Sequence, residues 1–71
     1  MEFRWEPGFA IKTRVEADAF VVCANRQGLL SLANHLRDLA DCEPSGHFHL
    51  DQWNSLEDGS VELIVERDDS L

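Results

Sequence analysis

The residues best suited to chemistry in this 71-residue chain are His47, His49 and Asp51, which alternate through the segment G-H-F-H-L-D. In an extended strand, alternate side chains project from one face about 6–7 Å apart along the chain. Two imidazoles and a carboxylate are donors that zinc or a similar borderline ion accepts. A working metal centre also needs a cavity, an open coordination position and partners that orient its ligands. Nothing in the surrounding sequence supplies these. The preferred expectation is therefore a solvated or partner-facing strand, with Phe48 and Leu50 as its buried half. No metal and no cofactor are expected, although His47, His49 and Asp51 remain the candidate ligands if one is bound. Ser31 and His35 lie four apart on a helical stretch, but no nucleophile elbow surrounds Ser31 and no acid is placed to orient His35. A solvated helix face accounts for them. Asp51, Glu57 and Asp58 lack the alternating oxygen ligands of a calcium loop, and no Gly-rich phosphate cradle is present. No catalytic residue is assigned, and the chain is not expected to be an enzyme.

Aromatic and acidic residues point instead to binding. Trp53 follows the His-x-His-x-Asp segment and either caps the core with Leu56, the commoner outcome, or stands out as an anchor for a partner. Trp5 carries the same alternatives. Glu57 and Asp58 beside such an anchor, with Glu62 further on, offer an electrostatic handle for a basic partner. The candidate partner-binding residues are thus His47, His49, Asp51, Trp53, Glu57, Asp58 and Glu62.

Periodicity predicts the elements that would position these residues. Pro7-Gly8 marks a turn after a lead-in over 1–8. Phe9, Ile11, Thr13 and Val15 alternate with Ala10, Lys12, Arg14 and Glu16, which predicts a half-buried strand. Ala17-Asp18 then predicts a tight turn into a second strand, Ala19 to Ala24. Asn25 is a good N-cap for a helix over 26–41, with Pro44 and Gly46 ending it. Leu29, Leu32, Ala33, Leu36, Leu39 and Ala40 form the helix's apolar stripe, which places Ser31, His35, Asp38 and Cys42 on the opposite, solvent side. A third strand is expected over 46–51 and a fourth over 61–67, joined by a loop that turns at Asp58-Gly59.

The fold class is therefore α+β, ββαββ, an antiparallel four-stranded sheet with one amphipathic helix packed on one face. The helix side should collect Phe9, Ile11, Val15, Phe20, Val22, Phe48, Leu50, Val61, Leu63 and Val65. The open side should carry Lys12, Arg14, Val21, Cys23, His47, His49, Asp51, Glu62, Ile64 and Glu66. The whole chain, 1–71, is expected to be one small domain with flexible ends at 1–8 and 68–71. A domain this short has a thin core and little spare material for a deep pocket.

Charge narrows the partner further. The chain carries 14 Asp and Glu against 6 Lys and Arg, a formal −8 at pH 7. The segment from Asp38 to Leu71 contributes ten acids and the base Arg67, hence −9; Met1 to Arg37, with four acids and five bases, contributes +1. Such a surface repels nucleic-acid phosphates and anionic lipid and attracts basic proteins. No signal-peptide pattern opens the chain and no apolar run approaches a membrane span, and Cys23 and Cys42 make neither a disulfide framework nor a metal spacing. A reduced, cytoplasmic setting is expected, with no nucleic acid and no membrane as partner.

Two phrases carry a family resemblance: GLLSLANHLRDLA at 28–40 and GHFHLDQWNSLEDGSVELIV at 46–65. Together they resemble the immunity protein 32 family of bacterial polymorphic toxin systems, over roughly Asn25 to Arg67. Gly46, His47, His49, Asp51, Gly59, Ser60 and Glu62 are the motif positions; Cys42-Glu43-Pro44-Ser45 is not diagnostic. The resemblance implies a small cytosolic protein that binds and neutralises a cognate toxin, and a basic toxin domain would suit the acidic half. Two alternatives stay open: a metal-binding protein or enzyme using His47, His49 and Asp51, and a homodimer formed through the open sheet face.

Overall fold

The computed structural model describes residues 3–42 and 46–71. The elements run β1 (Ile11–Glu16), β2 (Ala19–Ala24), α1 (Arg26–Asp41), β3 (His47–Leu50) and β4 (Leu63–Glu66). The ββαββ order and the limits of β2 and α1 match expectation. β1, β3 and β4 are shorter than expected, and the helix-ending role assigned to Pro44 falls outside the described residues. Turn chemistry acts where it was expected. Gly8 and Gly59 take positive φ, and the Phe9 and Ser60 amides close their turns onto the Glu6 and Glu57 carbonyls. Asn25 caps α1 by accepting from the Gly28 amide at 2.7 Å, and its side chain also bonds the Ala10 amide and the Gly8 carbonyl.

The sheet differs from the expected single four-stranded one. β1 pairs antiparallel with β2, and β3 with β4, as two separate two-stranded sheets. The outer edge of β1 meets the loop before β4. The Glu57 amide donates to Ile11 O and the Val61 amide to Thr13 O. Between these, the Thr13 amide donates to Ser60 Oγ, and the Thr13 hydroxyl donates to the Val61 carbonyl. Side-chain hydroxyls thus substitute for ladder bonds, so the two hairpins are stitched together without a continuous ladder. The expected open face is divided accordingly. Lys12, Arg14, Val21 and Cys23 share a face of the first hairpin, and His47, His49, Ile64 and Glu66 share one of the second.

The helix presents a different side from the one its leucines suggested. Gly28, Ser31, His35 and Leu39 are buried, whereas Leu29, Leu36, Ala33 and Ala40 are exposed. The buried side is roughly a quarter turn from the apolar stripe at 100° per residue. Gly28 explains the rotation. A Cβ there would collide with the Ala10 carbonyl oxygen and lie 2.9 Å from Ile11 Cγ1 and 3.0 Å from Ala24 Cβ. Only a glycine lets the helix sit this close to the base of the first hairpin.

The lead-in then supplies the apolar cover. Ser31 Oγ donates to the Gln27 carbonyl and accepts from the Glu6 amide, both at 2.8 Å. The Asn34 side chain donates to the Arg4 carbonyl, and Arg4 pairs with Asp38 at 2.8 Å. Trp5 stacks on Phe9 at 4.4 Å between ring centroids. The core is Ile11, Leu39, Phe48, Leu50 and Leu56, with Trp5, Phe9, Ala24, Leu32, Leu63 and Val65 packed against it. Val15, Phe20, Val22 and Val61, expected on the helix side, are instead exposed. The helix does not cover the far end of its hairpin.

His35, expected on the solvent face, is fully buried, with the rings of Phe3, Trp5 and Phe48 in T-shaped contact around it. Neither ring nitrogen has a hydrogen-bond partner among the described residues. Burial pushes its pKa below the ordinary 6.5; the Asp38 carboxylate opposes this, and the Arg4 guanidinium adds to it. The folded chain therefore binds fewer protons at this site than the unfolded one. Stability is fully present above about pH 6.5 and is lost as pH falls below it, with a slope of at most about 1.4 kcal/mol per pH unit for one proton. Chemical denaturation from about pH 7 to 5.5 checks this, and His35→Leu should flatten the slope in that window. Gly28→Ala should destabilise the chain by about 1–3 kcal/mol through overpacking, despite alanine's better helix propensity; a urea titration reads the loss.

Candidate functional site

The second hairpin displays the histidines as their spacing predicts. His47 and His49 point away from the core, while Phe48 and Leu50 enter it. Their ring centroids are 5.0 Å apart. Across the ladder His47 faces Glu66 and His49 faces Ile64, and His49 Nδ1 lies 3.4 Å from Glu62 Oε2. Both side chains of that last pair are about half exposed, so the pairing is a weak, screened contact.

Asp51 does not join the histidines as a third ligand; it organises the turn after β3. Its Oδ1 accepts from the Trp53 amide at 2.9 Å and the Asn54 amide at 3.1 Å. Its carbonyl accepts from the Asn54, Ser55 and Leu56 amides. A carboxylate used this way is an Asx cap that shapes the chain locally. Among the described residues, no cluster of three or more His, Cys, Asp or Glu side chains is arranged to hold a metal ion.

The turn carries Trp53 into solvent, 86% exposed, while Leu56 enters the core. Core capping by Trp53 is thereby excluded: Leu56 takes the inward position alone. The backbone beneath the indole is tied at both ends, by Asp51 before it and by the Gly59 amide donating to Gln52 Oε1 at 2.9 Å. Glu57 and Asp58 sit exposed at the loop tip, where the Glu57 amide is fixed to β1. A cleft of about 210 Å³ opens between the lead-in and β3, lined by Phe3, Trp5, His49, Leu50, Asn54 and Ser55. That is smaller than the roughly 300–1,000 Å³ usual for a small-molecule site and suits one inserted side chain.

Ser31 and His35 do not form a catalytic pair, because the Ser31 hydroxyl is committed to Gln27 and Glu6. Cys23 and Cys42 are free thiols on exposed positions of separate elements. Among the described residues, no helix is long and apolar enough to cross a membrane. Sequence reasoning missed the aromatic wall that Phe3 and Trp5 give the cleft. The one signal for it was the lead-in's F-R-W spacing, which puts both rings on one side of an extended segment.

A family model described as immunity protein 32 matches residues 19–68. The match takes in β2 as well as the helix and the second hairpin. No curated protein and no solved structure matches the chain. Asp51→Ala should cost about 1 kcal/mol by freeing the Trp53 and Asn54 amides, and zinc should leave the melting temperature of the unaltered chain unchanged; differential scanning calorimetry reads both.

Proposed function

Because this chain belongs to the immunity protein 32 family, we propose that it binds a cognate toxin protein and occludes the surface through which that toxin acts. The observation that carries this is Trp53, an almost fully exposed indole on a turn whose backbone is already hydrogen-bonded in place. An aromatic presented on a preorganised backbone loses little freedom on binding and is a favoured anchor. His47, His49 and Glu62 extend the same contact surface along the second hairpin. Asp51 contributes indirectly, by shaping the turn.

Electrostatics supports a basic toxin domain as the partner. Glu57 and Asp58 are exposed at the tip of the Trp53 loop, within the half of the chain that carries −9. That field speeds encounter with a basic surface and weakens as salt rises. Inhibition by occlusion needs no catalytic group, so the chain acts without turnover, in the cytoplasm of the cell that makes the toxin.

The test is co-expression with a toxin encoded beside this chain's gene. The chain should restore growth, and Trp53→Ala should weaken the complex by about 2 kcal/mol or more. The Glu57→Gln/Asp58→Asn double variant should slow association at low salt with little change in dissociation. Growth arrest that is the same with and without the chain would refute toxin neutralisation.

A further inference from the structure

Among the described residues, nothing pairs with the outer edge of β2. The Thr13 amide and carbonyl and the Ile11 carbonyl all point away from β2, toward the 57–61 loop. In an antiparallel ladder, residues facing each other in such a pair both turn their backbone groups outward. Val22 faces Thr13 and Ala24 faces Ile11, and by alternation Phe20 follows with Val15. The Phe20, Val22 and Ala24 backbones therefore point out of the free side of β2, and no hydrogen bond among the described residues engages Phe20 or Val22 there. The strand reads A-F-V-V-C-A. It has no charge, proline or bulge of the kind that normally blunts an edge.

We infer that β2 pairs edge to edge with β2 of a second copy of this chain, antiparallel about a two-fold axis at Val22. That register sets Val22 opposite the second copy's Val22 and Phe20 opposite its Ala24, so every outward residue of the strand finds a ladder partner. Continued by two residues, it brings Asp18 level with the second copy's Arg26, an opposite charge; both are exposed. Directly opposed residues share a sheet face. Phe20 of each copy therefore lies on the helix-bearing side, beside Ala24 and the first turns of the other copy's helix, where Leu29 and Leu30 are exposed. The hairpin tip left bare by its own helix gains cover from its neighbour's.

Charge at the seam favours a second copy over other occupants, because the two-fold register sets the exposed Asp18 of each copy against the exposed Arg26 of the other. Pairing also joins the halves that carry +1 each and leaves the −9 halves free. A basic toxin would be steered to those acidic halves, so the edge contact and toxin binding use different surfaces. Packing of open sheet faces, the other way two copies could meet, would instead bury Lys12 and Arg14, which are exposed on the first hairpin.

Sedimentation velocity at about 50 µM, roughly tenfold above the low-micromolar range of weak dimers, should give twice the 8.1 kDa of one chain. Val22→Lys should return it to one chain's mass with an unchanged circular dichroism spectrum. As a second measurement, Val22→Cys with Cys23→Ser and Cys42→Ser should form an intermolecular disulfide on mild oxidation, because directly opposed strand residues lie within disulfide reach. A monomeric unaltered chain, or a dimer that survives Val22→Lys but is broken by Val21→Lys or Ile64→Lys, overturns edge pairing. So does a monomer that binds toxin only while Val22 is intact, which would make the toxin the occupant of the edge. Toxin protection by the Val22→Lys monomer is expected, so loss of dimerisation and loss of immunity are read separately.

Discussion

The approach of α1 to the base of the first hairpin governs most of the packing elsewhere in this molecule. Gly28 meets the Ala10 carbonyl, Ile11 and Ala24 with no room for a side chain. Once that contact is made, the rotation of the helix about its axis is fixed. Ser31, His35 and Leu39 must face inward on the later turns. The lead-in is drawn across them through the Glu6 amide, Arg4 and the aromatic rings. The same rotation turns Leu29, Leu36 and the alanines outward, so the apolar surface on one side of the chain is a consequence of close packing on the other.

His35 shows what this arrangement costs. A small core closes around an imidazole whose two nitrogens find no hydrogen-bond partner among the described residues, and an unpaired buried polar atom typically costs about 1–3 kcal/mol. The aromatic rings packed around it exclude water, and that burial holds its pKa below the ordinary value. Ser31, its neighbour one turn earlier, is satisfied on both sides by backbone groups. Acid sensitivity therefore resides where the helix meets the lead-in and Phe48 of β3.

The Trp53 loop gains its order from local polar chemistry. Asp51 caps the turn, Gln52 ties it to Gly59, Leu56 anchors it in the core, and Ser60 and Thr13 stitch it to β1. The Asp of the His-x-His-x-Asp segment belongs to this scaffold, which leaves two imidazoles and an indole as display residues. The acidic Trp53 loop and the apolar β2 edge thus occupy separate parts of one short chain.

Local sequence patterns determined the elements themselves. The Ala17-Asp18 turn, the Asn25 cap, the limits of β2 and α1, and the alternation that puts Phe48 and Leu50 inside and His47 and His49 outside all arise from neighbours a few residues apart. The family phrases lie in that same stretch, which is why they too were legible. Long-range contacts decided the rest. Periodicity placed the leucines on one helix face but could not reveal that a glycine would make the adjacent face the closer fit. Residue type and its place in a loop marked Trp53 as notable, yet only Leu56 filling the core put the indole in solvent. The expected single sheet became two because the hydroxyls of Thr13 and Ser60 took ladder positions, a pairing across 47 residues that no local pattern encodes.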